Sequence, residues 1–157
     1  MLCDDRTRLG PIIRTGGPGE PLLFASTYAV LSRLHASYPD MLLSVWTNGL
    51  LFPDRLGELA RAGVSRITVS ISAATPETAE RIYDWIVYRG RKYAGRAATE
   101  ILLRQQWKGL SNTVEAGMLV TVYAASVEGV NDQEVPTVRA RAIEIGAERV
   151  FCEPLGE

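Results

Sequence analysis

The chain has 157 residues, room for one domain at the usual ~100 to 200 residues and enough to bury about 70% of its unfolded surface. Its 17 Lys plus Arg against 18 Asp plus Glu give a formal net charge of -1, which excludes a strongly basic nucleic-acid binder and offers no general attraction to anionic lipid. Hydrophobic residues at 46% and charged residues at 22% exclude a disordered, collagen-like or low-complexity chain.

The N-terminal stretch MLCDDRTRLG is charged where a signal peptide needs an apolar core. Residues 1–10 read as a ragged segment ahead of βα repeats over 11–155, all within a single domain of 1–157. Pro11 to Thr15 reads as a first strand closed by the glycine turn Gly16-Gly17-Pro18-Gly19. Tyr28, Leu31, Leu34 and Tyr38 then recur at helical spacing, predicting a helix over Phe24 to Tyr38 with Ser26 available as its cap. Met41 to Trp46 reads as a second strand running into Thr47-Asn48-Gly49, and a helix starts near Pro53-Asp54 and stops at Gly63.

In Val64 to Ser72 apolar Ile67, Val69 and Ile71 alternate with Thr68, Ser70 and Ser72, which predicts a third strand with one face of small polar groups. Thr75-Pro76-Glu77 caps a following helix with Ala79, Ile82 and Ile86 as its apolar stripe. A longer helix runs from about Ala97 to Ala116, with Ile101, Leu102, Leu110 and Val114 inward and Gly117 as its stop. Met118 to Ala125 is the fourth strand and Arg149 to Glu153 the fifth. The helix between them runs from Asp132 to Ile145, with Pro136 tolerable only in its first turn and Gly146 at its end.

Five strands alternating with helices make an α/β fold with a parallel sheet, either an open doubly wound sheet or a βα barrel. Both place ligands at the carboxyl ends of the strands. Those ends carry Gly16, Gly17, Gly19 and Glu20 after the first strand, Thr47, Asn48 and Gly49 after the second, and Ser70 and Ser72 on the third. The glycine turn is no P-loop, since no Lys-Ser or Lys-Thr follows and its prolines lack N–H groups. His35, on a helix, reads as a surface or half-buried histidine, and Trp46, Trp85 and Trp107 read as packing anchors.

Gly17-Pro18-Gly19-Glu20-Pro21, Thr47-Asn48-Gly49 and the polar third strand together resemble the S-adenosylmethionine (SAM)-binding strands of radical SAM proteins, most specifically the radical SAM domain of the NifB family. The stretch from Ile82 to Leu110 resembles an insertion of that family, and Gly129-Val130-Asn131-Asp132 after the fourth strand fits as well. The resemblance implies a partial TIM-like (βα) barrel of about five parallel strands, its first strand missing. It implies SAM as cofactor, with Gly17 and Glu20 at the methionine amine, Thr47 and Asn48 at the ribose, and Ser70, Ser72 and Val130 completing the nucleoside pocket beside Asn131. The family builds the carbide-containing iron–sulfur precursor of the nitrogenase cofactor, which implies iron–sulfur cluster donors and cofactor-assembly proteins as partners. In the family reading the basic residues Arg89, Arg91, Lys92 and Arg96 could face an anionic cluster or carboxylate, beside the plain reading of a solvated loop.

The chain departs from the family in several places. The family's [4Fe-4S] cluster is held by a CxxxCxxC loop, whereas this sequence has only Cys3 and Cys152, so no metal ligand is assigned and catalysis by this chain alone is not expected. Ser72 stands where an asparagine is expected, Tyr123 and Ala124 replace small polar groups, and Glu128 stands where proline is favoured. Two other readings stay open: a non-catalytic module that self-associates through an open sheet edge, and a cluster-free βα enzyme with Glu20 as general base. The cysteine count, the absence of an apolar run near ~18 residues and the charge balance make the expected setting cytoplasmic, without membrane or nucleic-acid contacts.

Overall fold

The computed structural model describes residues 12–15 and 19–154. Five parallel strands form one sheet in the order β1 (Ile12–Thr15), β2 (Leu42–Thr47), β3 (Val64–Ser70), β6 (Leu119–Ser126) and β7 (Arg149–Pro154). Chain order and sheet order therefore coincide, with no switch point. Crossovers of a single hand then place every helix on one face, so the sheet curls as part of a barrel and the doubly wound alternative is excluded.

That topology sorts the side chains of each strand. Leu43 and Val45 of β2, Ile67 and Val69 of β3, and Val120, Val122 and Ala124 of β6 are fully or almost fully buried beneath the helices. Their neighbours in sequence, Trp46, Thr68, Ser70, Thr121 and Tyr123, line cavities on the opposite, concave face together with Arg14 of β1 and Phe151 and Glu153 of β7. A parallel sheet normally buries both faces, and a polar concave face is what a barrel interior open to a ligand provides.

The covering helices are α1 (Ala25–Ser37), α2 (Phe52–Arg61), α4 (Gly95–Glu115) and α5 (Val135–Ile145), with the short α3 (Pro76–Glu80) ahead of α4. Pro53, Pro76 and Pro136 all lie in first turns, where the missing N–H costs nothing. Gly146 ends α5 in the left-handed region at φ 113°. Ser26 is not a cap: α1 starts one residue earlier, after Phe24, and has no side-chain cap.

The chief departure from the sequence expectation lies between β3 and α4. The helix after Thr75 ends at Glu80, and Ile86 is not on it. Trp85–Tyr88 (β4) and Arg91–Ala94 (β5) instead form an antiparallel hairpin. Arg89 and Gly90 make its two-residue turn with φ 50° and 76°, the left-handed pair that a type I′ turn requires. Trp85-Ile86-Val87-Tyr88 is aromatic and β-branched throughout, which overrides the helical spacing of Ala79, Ile82 and Ile86. Ile86 packs into a second small core with Leu50, Ala98 and Leu102, pinning the hairpin to α4.

Candidate functional site

The carboxyl ends of β1, β2 and β3 surround a cavity of about 550 Å³ lined by Arg14, Gly19, Glu20, Trp46, Thr47, Asn48 and Ser70. This is within the ~300–1,000 Å³ of small-molecule sites. Glu20 is its centre. It caps the single 3₁₀ turn Pro21–Leu23, and its residue is only 9% exposed. Its Oε1 accepts from Leu22 N at 3.1 Å and Thr47 Oγ1 at 2.7 Å, and its Oε2 accepts from Asn48 N at 2.8 Å.

Two carboxylate oxygens offer about four acceptor positions, so three neutral donors leave one direction open at Oε2. Among the described residues Glu20 forms no ion pair. A buried carboxylate held by neutral donors beside a cavity retains its capacity to receive a cation.

The loop after β2 is built around that carboxylate. Thr47 Oγ1 donates to Glu20 and accepts from Gly49 N at 3.0 Å, while Asn48 Oδ1 accepts from Leu50 N at 2.9 Å in an Asx turn. Asn48 Nδ2 is left free of protein partners among the described residues, on a side chain that lines the cavity. Gly49, at φ +88°, allows α4 to approach: a Cβ there would lie 2.6 Å from Gln106 Cγ and 2.9 Å from Val69 Cγ2. Ser70 reaches the cavity, where its Oγ accepts from Trp46 Nε1 at 2.8 Å. Trp46 is thus a cavity wall, stacked edge-on against Tyr123 at 5.0 Å. Burial, then the hydrogen-bonded Glu153 carboxylate, raise the Tyr123 pKa above its ordinary value and keep the phenol protonated.

The remaining candidates lie elsewhere. Gly16 and Gly17 fall outside the described residues. Ser72 and Asn131 are buried and form an internal latch. Ser72 Oγ accepts from Ala125 N at 3.1 Å; Asn131 Nδ2 donates to Ser72 O and Ala125 O at 2.7 Å each, and its Oδ1 accepts from Val127 N at 2.6 Å. Val130 O accepts from Arg81 Nη1 at 2.9 Å. Ser72 and Asn131 tie the loop after β6 to the end of β3, Val130 ties it to the end of α3, and none of them lines the cavity.

Two residues of this region carried no expectation. Arg14 forms one cavity wall. Gln106, 1% exposed, donates from Nε2 to Asn48 O at 2.8 Å and to Ser70 O at 2.9 Å, clamping the ends of β2 and β3 together. Its signal was readable: Leu102, Gln106 and Leu110 are spaced by four, which puts an amide in the middle of the inward stripe of α4. Of the other aromatics and the lone histidine, Trp107 is buried as expected and His35 is exposed, whereas Trp85 is 54% exposed and is no packing anchor.

The described residues do not fit an iron–sulfur cluster. No group of three or more His, Cys, Asp or Glu side chains among them could hold a metal ion. Cys152 is half-buried on β7 against the main core, and Cys3 is outside the described residues. No helix among the described residues is long and apolar enough to cross a membrane.

No family model matches the chain. Pairwise comparison is decisive: over 137 residues, 87% of this chain, it is 34% identical to the FeMo cofactor biosynthesis protein NifB of Frankia alni, and it is 36% identical to that of Chlorobaculum tepidum across 96% of its length. The chain is a homologue of NifB. It spans 27% of the length of the Frankia NifB, 37% of the Chlorobaculum NifB and 26% of the NifB of Klebsiella pneumoniae, to which it is 36% identical. Among solved structures, SuiB of Streptococcus suis bound to S-adenosylmethionine superposes with a TM-score of 0.61 at 15% identity, covering 93% of this chain and 29% of SuiB. NifB homology and this neighbour agree on a partial TIM-like barrel of the radical SAM type.

Proposed function

We propose that these 157 residues form the SAM-receiving part of a NifB-like radical SAM domain that serves in assembly of the FeMo-cofactor precursor. The observation that carries this is the Glu20 carboxylate, held by three neutral donors in the wall of a cavity of about 550 Å³. A SAM ammonium takes the open acceptor direction at Oε2, and Asn48 Nδ2 supplies a donor to the ribose hydroxyls. Ser70 and Trp46 offer a polar edge and a flat wall to the base. By resemblance Gly16 and Gly17 would let backbone come close to the amino-acid end, with Gly19 beside them. Thr47 stands in the cavity wall with its hydroxyl committed to Glu20, while Gly49, Ser72, Val130 and Asn131 act one layer back, by fixing the strand ends.

SAM supplies an activated sulfonium; the residues of this chain bind it, orient it and neutralise its ammonium. No chemical step is assigned to these residues, because those described bring no three His, Cys, Asp or Glu side chains together. That same finding favours a second reading in which SAM is held without being cleaved by this chain. Anaerobic reconstitution with iron and sulfide separates the two, since a stable four-iron absorption would exclude the second reading.

The direct check on Glu20 is equilibrium dialysis of SAM against 5′-methylthioadenosine, which keeps the nucleoside and lacks the amino-acid moiety. The proposal requires SAM to bind at least about tenfold more tightly, a modest value for one charge-assisted contact of ~1.5–3 kcal/mol. Equal affinities would remove Glu20 from the ligand site.

A further inference from the structure

A second cavity of about 420 Å³ lies beside the first and shares only Glu20 and Asn48 with it. Its floor and walls are apolar, with Leu50, Leu51, Tyr83 and Leu102 below and Leu23 at the rim. Three consecutive residues of the hairpin, Trp85, Ile86 and Val87, all line it, and no residue of β5 does. Successive strand residues point to opposite faces, so a cavity that touches all three runs along the outer edge of β4. That edge is open: β4 pairs only with β5.

The register shows which backbone groups face outward. Tyr88 pairs with Arg91 across the two-residue turn, and such a closing pair exchanges both hydrogen bonds. Alternation makes Ile86–Tyr93 the next bonded pair and turns the N–H and C=O of Val87 and Trp85 away from β5, toward the cavity. Among the described residues these groups have no other hydrogen-bond partner. The adjacent side chains are exposed apolar ones: Leu23 at 61%, Trp85 at 54% and Val87 at 50%. In addition, Gln106 Oε1 is buried in this wall without a partner.

We infer that the outer edge of β4 is a docking site for an extended segment of a partner protein, which adds as a third strand and sinks one apolar side chain into the cavity. Main-chain hydrogen bonds supply affinity and the cavity supplies selectivity, the mode by which sheet edges capture peptides. Charge defines the partner's chemistry. Arg91 and Lys92 are exposed, make no ion pair among the described residues, and lie across the aromatic rings of Tyr93 and Trp85 at 5.4 and 4.6 Å. Lys92 is the cross-strand neighbour of Val87 and its ammonium lies over Trp85, so the unpaired positive charge sits along β4 itself, while Arg89 at the tip is paired with Asp54 and Asp84 stands at the other end. The segment that fits is apolar at alternate positions and acidic where it passes Lys92. This surface is independent of the SAM reading.

The probe is a fluorescein-labelled, N-acetylated peptide of alternating leucine and threonine ending in two aspartates, titrated against the full chain by anisotropy. Saturable binding is expected, weakened at least tenfold when alternate peptide nitrogens are methylated and at least tenfold by Val87→Pro, which removes an outward N–H without touching the bonds to β5. Lys92→Glu should reverse the preference for the aspartate-ended peptide over a lysine-ended one. Absence of binding, or equal affinity for the methylated peptide, would overturn the inference, and the methylated probe does so on the unaltered chain even if Val87→Pro fails to fold. Displacement of the probe by N-acetylleucinamide as effectively as by unlabelled peptide would assign the cavity to a small molecule instead, and a dimer that excludes the probe would assign the edge to a second copy of this chain. Either result overturns the inference.

Discussion

Glu20→Gln isolates the charge and the acceptor count of one buried group. The glutamine carbonyl can replace Oε1 and still accept from Leu22 N and Thr47 Oγ1, which lie 3.1 and 2.7 Å from it in the parent. Its NH2 then stands where Oε2 accepts from Asn48 N at 2.8 Å, donor against donor. One buried N–H is left unsatisfied, at a cost of about 1–3 kcal/mol, and the flipped amide only transfers the conflict to the other oxygen. For a chain of 157 residues each kcal/mol lowers Tm by about 2–4 °C, so the expected fall is about 2–12 °C. Thermal unfolding followed by circular dichroism reads it. A Gln variant within about 1 °C of the parent would refute the reasoning, because the carboxylate would then not be holding the strand ends together. Glu20→Asp separates charge from reach: it keeps the charge, but one methylene shorter it cannot span Leu22, Thr47 and Asn48 at once, and its Tm should also fall.

Asn131→Ala removes three hydrogen bonds in the latch to Ser72, Ala125 and Val127, and urea unfolding should show a loss of about 2–4 kcal/mol with an unchanged slope. Gly109→Ala reverses the usual helix gain of about 1 kcal/mol: the added Cβ would lie 2.4 Å from Cδ1 of fully buried Phe52, so the variant should unfold at lower urea than the parent. The Glu134 pKa reflects opposing causes. Burial raises it, but the Thr75 hydroxyl and the Ala74 N–H outweigh that and leave it below the ordinary carboxylate value of 4.5. Because the folded value is depressed, the stability it confers is complete above 4.5 and is lost as pH falls through the folded value. Acid unfolding of Glu134→Gln should therefore be less steep below that pH than that of the parent, and parallel curves would dismiss the link between β3 and α5.

Punctuation made most of the fold legible. Gly63, Gly117 and Gly146 stop helices, and prolines open three of them, so α2, α4, α5 and the sheet strands fall within a few residues of expectation. Strand order was not legible, because pairing is non-local; only the sequence of neighbours excludes the doubly wound sheet. The hairpin was hidden by Ile82 and Ile86, whose spacing satisfies a helix although Arg89-Gly90 is a workable two-residue turn. At the site, Glu20, Thr47, Asn48 and Ser70 meet as the strand-end argument expects, because β1, β2 and β3 are adjacent. Ser72 and Asn131 have the same chemistry as cavity residues, and only the path of the loop after β6 shows that their hydrogen bonds are spent internally. Arg14 and Gln106 escaped notice because each sits in an element read for its apolar positions.

The central claim is that the cavity at the ends of β1, β2 and β3 receives SAM through Glu20. Isothermal calorimetry of SAM into the full chain, with folding confirmed by circular dichroism, tests it most directly. The account predicts a saturable one-site isotherm whose affinity falls at least tenfold in Glu20→Ala; a folded parent chain that gives no heat of binding, or an alanine variant that binds equally well, would contradict it.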